Sequence, residues 1–66
     1  DKLDLYDAID CLSEDYKTVI VLKYFNDLSI NEISSIMELP INTVKSHLKR
    51  ANDELRQILK EGELNE

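Results

Sequence analysis

The chain has few turn-formers and few reactive groups: one glycine (Gly62), one proline (Pro40), one cysteine (Cys11) and one histidine (His47) among 66 residues. So little glycine and proline leaves almost nothing with which to close β-hairpins. A lone cysteine cannot form an internal disulfide. With only His47 as a nitrogen donor beside it, the chain also lacks the ligand set of a structural zinc site, so no metal or other cofactor is expected, and a reducing cytoplasm is the expected home. Cys11 and His47 stand 36 positions apart and no glycine-rich phosphate loop is present. Neither an enzyme nor a small-molecule substrate is therefore expected. No apolar run approaches the roughly 20 residues that span a bilayer, and the start does not look like a signal peptide, so no membrane insertion is expected. The chain opens on Asp1 rather than methionine; the expectation is one domain, residues 1–66, excised from a longer protein.

What is present fits one small folded unit. Apolar residues make up 42% of the chain and charged residues 33%, a balance that supports folding rather than a disordered tail. A chain this short buries roughly 60% of the surface its unfolded form exposes, and its stability should be on the order of 5 kcal/mol. The net charge of −6 looks wrong for a nucleic-acid partner, yet it is unevenly spread. Residues 41–60 hold five Lys/Arg against two acids, a local +3, while the other 46 residues carry three against twelve, or −9. Segregation, more than the total, decides where a phosphate backbone can dock.

Apolar spacing predicts four helices. The first covers about Leu3 to Leu12, with Leu5, Ala8, Ile9 and Leu12 on one face and Asp4, Asp7 and Asp10 opposite. That acidic stripe reads as a solvated face, with a docking surface for a basic partner as the alternative. Ser13, then Glu14 and Asp15, has the chemistry of a helix start: a capping hydroxyl followed by anions at the positive dipole end. This second helix runs to about Phe25. Its "TVIVLKYF" is rich enough in β-branched and aromatic residues for a strand, but the cap and length favour a central helix, apolar on nearly every side. Cys11, Tyr6, Tyr16, Tyr24 and Phe25 are expected in the core. Ser29 and Glu32 match a capping box for a third, short helix that buries Ile33, Ile36 and Met37. After "MELP", with Pro40 at or just before the next first turn, a fourth helix runs from about Ile41 to Lys60 and stops at Gly62. Two helices joined by so short a turn form the helix-turn-helix pattern. The expected fold class is all-α: a four-helix helix-turn-helix DNA-binding domain, winged-helix-like but without a wing.

The fourth helix carries the functional constellation. At about 100° per residue, Ile41, Val44, Leu48, Ala51, Leu55, Ile58 and Leu59 share one arc. Asn42, Lys45, Ser46, Lys49 and Arg50 lie on the far side, followed by Asp53, Arg56 and Gln57. A helix fits the major groove of B-DNA, where lysine and arginine reach phosphates or guanine edges and short polar groups read bases. In a helix-turn-helix the N-terminal half of the second helix does that reading. Asp53 lies about 16 Å beyond Asn42 at 1.5 Å per residue, so the reading should end near Arg50. The bland alternative for these cations is an ordinary solvated helix face. His47 borders the apolar arc, and both a half-buried packing role and a phosphate contact are open to it.

The stretch "LSEDYKTVIVLKYFNDLSINEISSIMELPINTVKSHLKRANDELRQIL", residues 12–59, resembles region 4 of the sigma-70 type bacterial sigma factors, particularly the extracytoplasmic-function group. The likeness lies in a leucine-led opening, an apolar helix, an "lS-EIA"-like third helix, a turn, and a "gTVKSRL-RAR--L"-like last helix. It implies a domain that binds the minus-35 element of promoter DNA through its last helix and touches the β flap of RNA polymerase. It also implies an anti-sigma factor as a regulatory partner. Thr43, Lys45, Ser46, Lys49 and Arg50 match the DNA-facing part of the family motif, Asn42 replaces a common glycine there, and His47 replaces a frequent arginine. Ser13 stands for a frequent proline, Glu38 for a turn glycine, and Asn52 for the second arginine of "RAR". The candidate DNA-binding set is therefore Asn42, Thr43, Lys45, Ser46, His47, Lys49 and Arg50. "TVKSHL" also resembles the LuxR/GerE regulators. A third reading is a protein-interaction module whose DNA contact is weak.

Overall fold

A computed structural model describes the backbone of residues 4–64 and the side chains of residues 4–60. It is all-α, with no strand among the described residues: α1 (Leu5–Asp10), α2 (Glu14–Ile20) running on into a π-helical turn (Val21–Phe25), α3 (Ile30–Met37) and α4 (Ile41–Leu64). The predicted first residue of α1, Leu3, lies outside the described residues. No helix among them is long and apolar enough to cross a membrane.

Each helix start is explained by its local chemistry. The Asp4 carboxylate accepts from the Asp7 backbone N–H at 2.9 Å and opens α1, a cap hidden within the acidic stripe. Ser13 occupies the cap position of α2 in extended geometry, and its carbonyl accepts from the Lys17 N–H at 2.8 Å, but its hydroxyl makes no cap bond. The predicted capping hydroxyl is thus corrected: Glu14 and Asp15 stabilise this end through the helix dipole. At α3 the capping box is complete. The Ser29 hydroxyl accepts from the Glu32 N–H at 3.1 Å, and Glu32 Oε1 accepts from the Ser29 N–H at 2.8 Å. Pro40 immediately precedes α4 and its carbonyl accepts from the Val44 N–H at 3.0 Å, a position where the missing proline N–H costs no hydrogen bond.

"TVIVLKYF" is helical because burial outweighs propensity. Val19 and Ile20 sit at 0% and 2% exposure in the centre of the core. Beyond them the helix loosens: the Asn26 N–H reaches back five residues to the Val21 carbonyl at 3.1 Å, the bonding of a π turn. That change of period turns Tyr24 and Phe25 outward, 56% and 48% exposed. Phe25 stacks on Tyr6, itself 68% exposed, with ring centroids 5.7 Å apart. The expectation of core places for these three aromatics is corrected, and likewise that for Cys11, which is exposed at the end of α1.

The core gathers Ala8, Ile9 and Leu12 from the first segment, Val19 and Ile20 from α2, Ile33 from α3, and Val44, Leu48, Ala51 and Leu55 from α4. No polar or charged residue is buried among the described residues. Three predicted core members lie further out. Leu5 and Ile41 are the first residues of their helices, with no preceding turn to cover them, and are 46% and 42% exposed. Ile36, at 58%, lies about 60° off Ile33 on the side away from Ile30 and Met37, which are half-buried against the core instead. Gly62 does not stop α4, which continues to Leu64; glycine weakens a helix by roughly 0.5–1 kcal/mol without forbidding it.

The α3–α4 turn positions the site. Glu38 takes a left-handed conformation at φ 56°, and the N–H groups of Glu38 and Leu39 both return to the Ser34 carbonyl. The Leu39 bond is the 6→1 contact of a Schellman motif and the Glu38 bond the 5→1 contact of an αL cap, closures ordinarily made by glycine. The Ser34 hydroxyl donates to the Leu39 carbonyl and ties the far side of the turn.

Candidate nucleic-acid interface

Burial along α4 separates its two faces. Val44, Leu48, Ala51 and Leu55 are buried, and Asn42, Lys45, Ser46, Lys49, Arg50, Asp53, Arg56 and Gln57 are exposed. Asn42 to Arg50 covers about 12 Å of helix axis, two turns and a fraction. Among the described residues neither Lys45, Lys49 nor Arg50 forms an ion pair with a carboxylate. Arg56 differs: its guanidinium lies 3.9 Å from Asp53 one turn earlier. Both are well exposed, so the pair adds little stability, but it leaves less cationic character beyond Arg50. The row of open cations and short polar groups accordingly sits at the front of the helix.

Two members of the expected set lie at the border of the face. Thr43 and His47 are half-buried, on the flank shared with Arg50. His47 packs edge-to-face against Tyr16, with ring centroids 5.3 Å apart and planes at 74°. Both readings of His47 therefore keep a footing, since its ring packs on a neighbour while it remains at the edge of the open face. On the opposite flank the Asn52 amide donates to the Tyr24 hydroxyl at 3.2 Å. The α2 segment thus crosses behind α4 from Tyr16 at one edge to Tyr24 at the other.

On the His47 side lies a shallow notch of about 240 Å³, lined by Tyr16, Asn42, Thr43, Ser46, His47 and Arg50. Five of these seven candidates meet there, while Lys45 and Lys49 stand apart on the other half of the face. Tyr16 is the lining residue that sequence reasoning assigned to the core. The signal for it was weak but present: Tyr16 falls in the first turn of α2, one turn before Val19 and Ile20, so only its inner side can be covered.

No cluster of three or more His, Cys, Asp or Glu suited to a metal occurs among the described residues. Among the described residues, Glu32 is the group whose acidity departs from its ordinary value. The Ser29 backbone N–H, and then the Ser29 hydroxyl, hold its carboxyl below the usual carboxylate range against a slight opposing effect of burial. That group belongs to the cap of α3 rather than to the open face.

Comparison with known proteins bears on this surface. Residues 2–55 match the family model described as Sigma-70, region 4. The chain is 44% identical over 50 residues to the ECF RNA polymerase sigma factor SigW of Bacillus subtilis, covering 76% of this chain and 27% of that protein. It is 46% identical over 59 residues to RNA polymerase sigma factor SigV of the same species, covering 88% of this chain and 36% of that one. It is also 41% identical over 49 residues to the ECF RNA polymerase sigma-E factor of Haemophilus influenzae, covering 74% and 26%. The chain thus spans about a quarter to a third of the length of the curated relatives it matches.

Proposed function

This chain belongs to the sigma-70 region 4 family, and we propose that it is the promoter-reading domain of an alternative sigma factor of the extracytoplasmic-function group. In this reading α4 lies in the major groove of the minus-35 element. Lys45, Lys49 and Arg50 hold backbone phosphates or guanine edges, Asn42, Thr43 and Ser46 read bases or fix the helix in register, and His47 touches the backbone at the flank. The domain is one unit, residues 1–66, of a longer protein, as the length of its relatives supports. It contacts the β flap of RNA polymerase, and an anti-sigma factor holds it in check. Family membership sets aside the LuxR/GerE alternative.

One observation carries the reading: cations and short polar side chains stay open along the first three turns of α4, directly opposite a stripe buried in the core. A merely solvated face would show both signs of charge along its length, as this helix does only from Asp53 onward. A Lys45→Ala/Lys49→Ala/Arg50→Ala variant should retain its helical circular dichroism and lose at least about tenfold in affinity for a minus-35 duplex in mobility-shift assays. It should still be captured by the polymerase β flap and by an anti-sigma factor. Unchanged DNA affinity would remove α4 as the reading element, and joint loss of all three partners would show that the surfaces are not separate.

A further inference from the structure

The notch beside His47 differs in chemistry from the rest of the open face. Each of its six lining residues carries a hydrogen-bonding group, and none is a carboxylate. An anion entering it meets the permanent charge of Arg50, an imidazole, three hydroxyls and an amide. Because the notch opens on the face that also carries Lys45 and Lys49, its anion should belong to a polymer that those lysines also touch.

We propose that this notch seats one phosphate of a DNA strand, held by Arg50 and His47, and that Tyr16 is a positioning residue that fixes the imidazole from the side. The proposal rests on the reading of α4 as the DNA-facing helix and deepens it by making α2 the second wall of the contact. Arg50 supplies a planar fork of donors suited to phosphate oxygens. Tyr16 is anchored from behind, since Val19 and Ile20 of the next turn are buried, and its ring restrains His47 at a 5.3 Å edge contact. A half-buried imidazole held in this way has lost part of its rotamer freedom before DNA arrives, which lowers the ordering cost of the contact. The hydroxyl of Tyr16 is not required for this; its ring is.

The test uses a duplex selected from a randomised pool by this chain, resynthesised with one neutral methylphosphonate at each backbone position in turn. The unaltered chain should lose about tenfold in affinity at the notch phosphate, the order expected for one charge-assisted contact. Arg50→Ala and His47→Ala variants should bind the unmodified duplex more weakly and lose no more than about twofold further at that one position. Lys45→Ala should remain fully sensitive there. Tyr16→Leu should behave like His47→Ala, while Tyr16→Phe, which keeps the ring, should behave like the unaltered chain. A variant with native circular dichroism but no such coupling at any phosphate overturns the notch alone. Failure of the selection to enrich any duplex overturns the groove reading, and the notch with it.

Discussion

Glu32 and Ser29 carry a local energy that can be read without reference to DNA. The carboxylate accepts the Ser29 N–H, the Ser29 hydroxyl accepts the Glu32 N–H, and two otherwise unpaired amides at the start of α3 are satisfied. Ser29→Ala should cost about 1 kcal/mol in urea unfolding at pH 7. Glu32 adds a pH signature. Its folded pKa is depressed by the Ser29 backbone and hydroxyl, so the unfolded state takes up a proton first on acidification. The stability it contributes is complete above the ordinary glutamate value of about 4.3 and is lost as pH falls through the lower folded value. Unfolding of the unaltered chain and of Glu32→Gln at pH 7 and pH 3 should show a gap that narrows in acid. A constant gap would mean that the carboxylate charge takes no part in the cap.

Among the elements, the α3–α4 turn sets the angle at which α4 is presented, and it does so with a residue poorly suited to its conformation. Glu38 sits at φ 56°, where a side chain costs roughly 1–2 kcal/mol relative to the right-handed region. Glycine removes that strain but loses roughly 0.5–1 kcal/mol to the unfolded chain. Glu38→Gly should therefore be neutral to stabilising by up to about 1 kcal/mol in thermal or urea unfolding, with DNA affinity unchanged because the closing bonds from Glu38 and Leu39 to Ser34 are backbone bonds. A loss of stability would show that the glutamate side chain itself supports the turn. The same turn shows how far an amino-acid sequence can be read. The capping box, the place of Pro40, the buried stripe of α4 and its open row from Asn42 to Arg50 all follow from spacing, because period and cap chemistry are local. The π turn after Ile20 is not local in that sense. It depends on how α2 must cross α4, and so the outward places of Tyr24 and Phe25 and the stacking of Tyr6 could not be read from a helical wheel. Tyr16 does pack against the core as its place on the wheel predicts, but a wheel says nothing of where the neighbouring helix ends, and so does not show that the outer side of its ring lines the notch.

For the molecule as a whole, charge segregation has to reconcile a net −6 with binding to a polyanion. Three open cations, Lys45, Lys49 and Arg50, should release about three counterions, giving a slope of about −3 for log affinity against log salt. The remainder of the chain opposes this. Residues outside 41–60 carry a net −9, and although the acids among them with described side chains lie outside α4, their repulsion of DNA reaches beyond one helix diameter once salt is low: the screening length is about 30 Å at 0.01 M and about 10 Å at 0.1 M. The plot should therefore bend, following −3 at moderate salt and flattening as salt is removed and the acidic body becomes visible to the duplex. Asp7→Asn/Asp27→Asn tests this with two exposed positions outside α4, and asparagine tolerates the positive φ of residue 27. The double variant should gain on the order of a few-fold in affinity near 0.01 M and nothing near 0.3 M, straightening the plot. A gain that persists undiminished at 0.3 M would point to a direct contact between α1 or the α2–α3 loop and DNA, and would require the duplex to be placed differently on the domain.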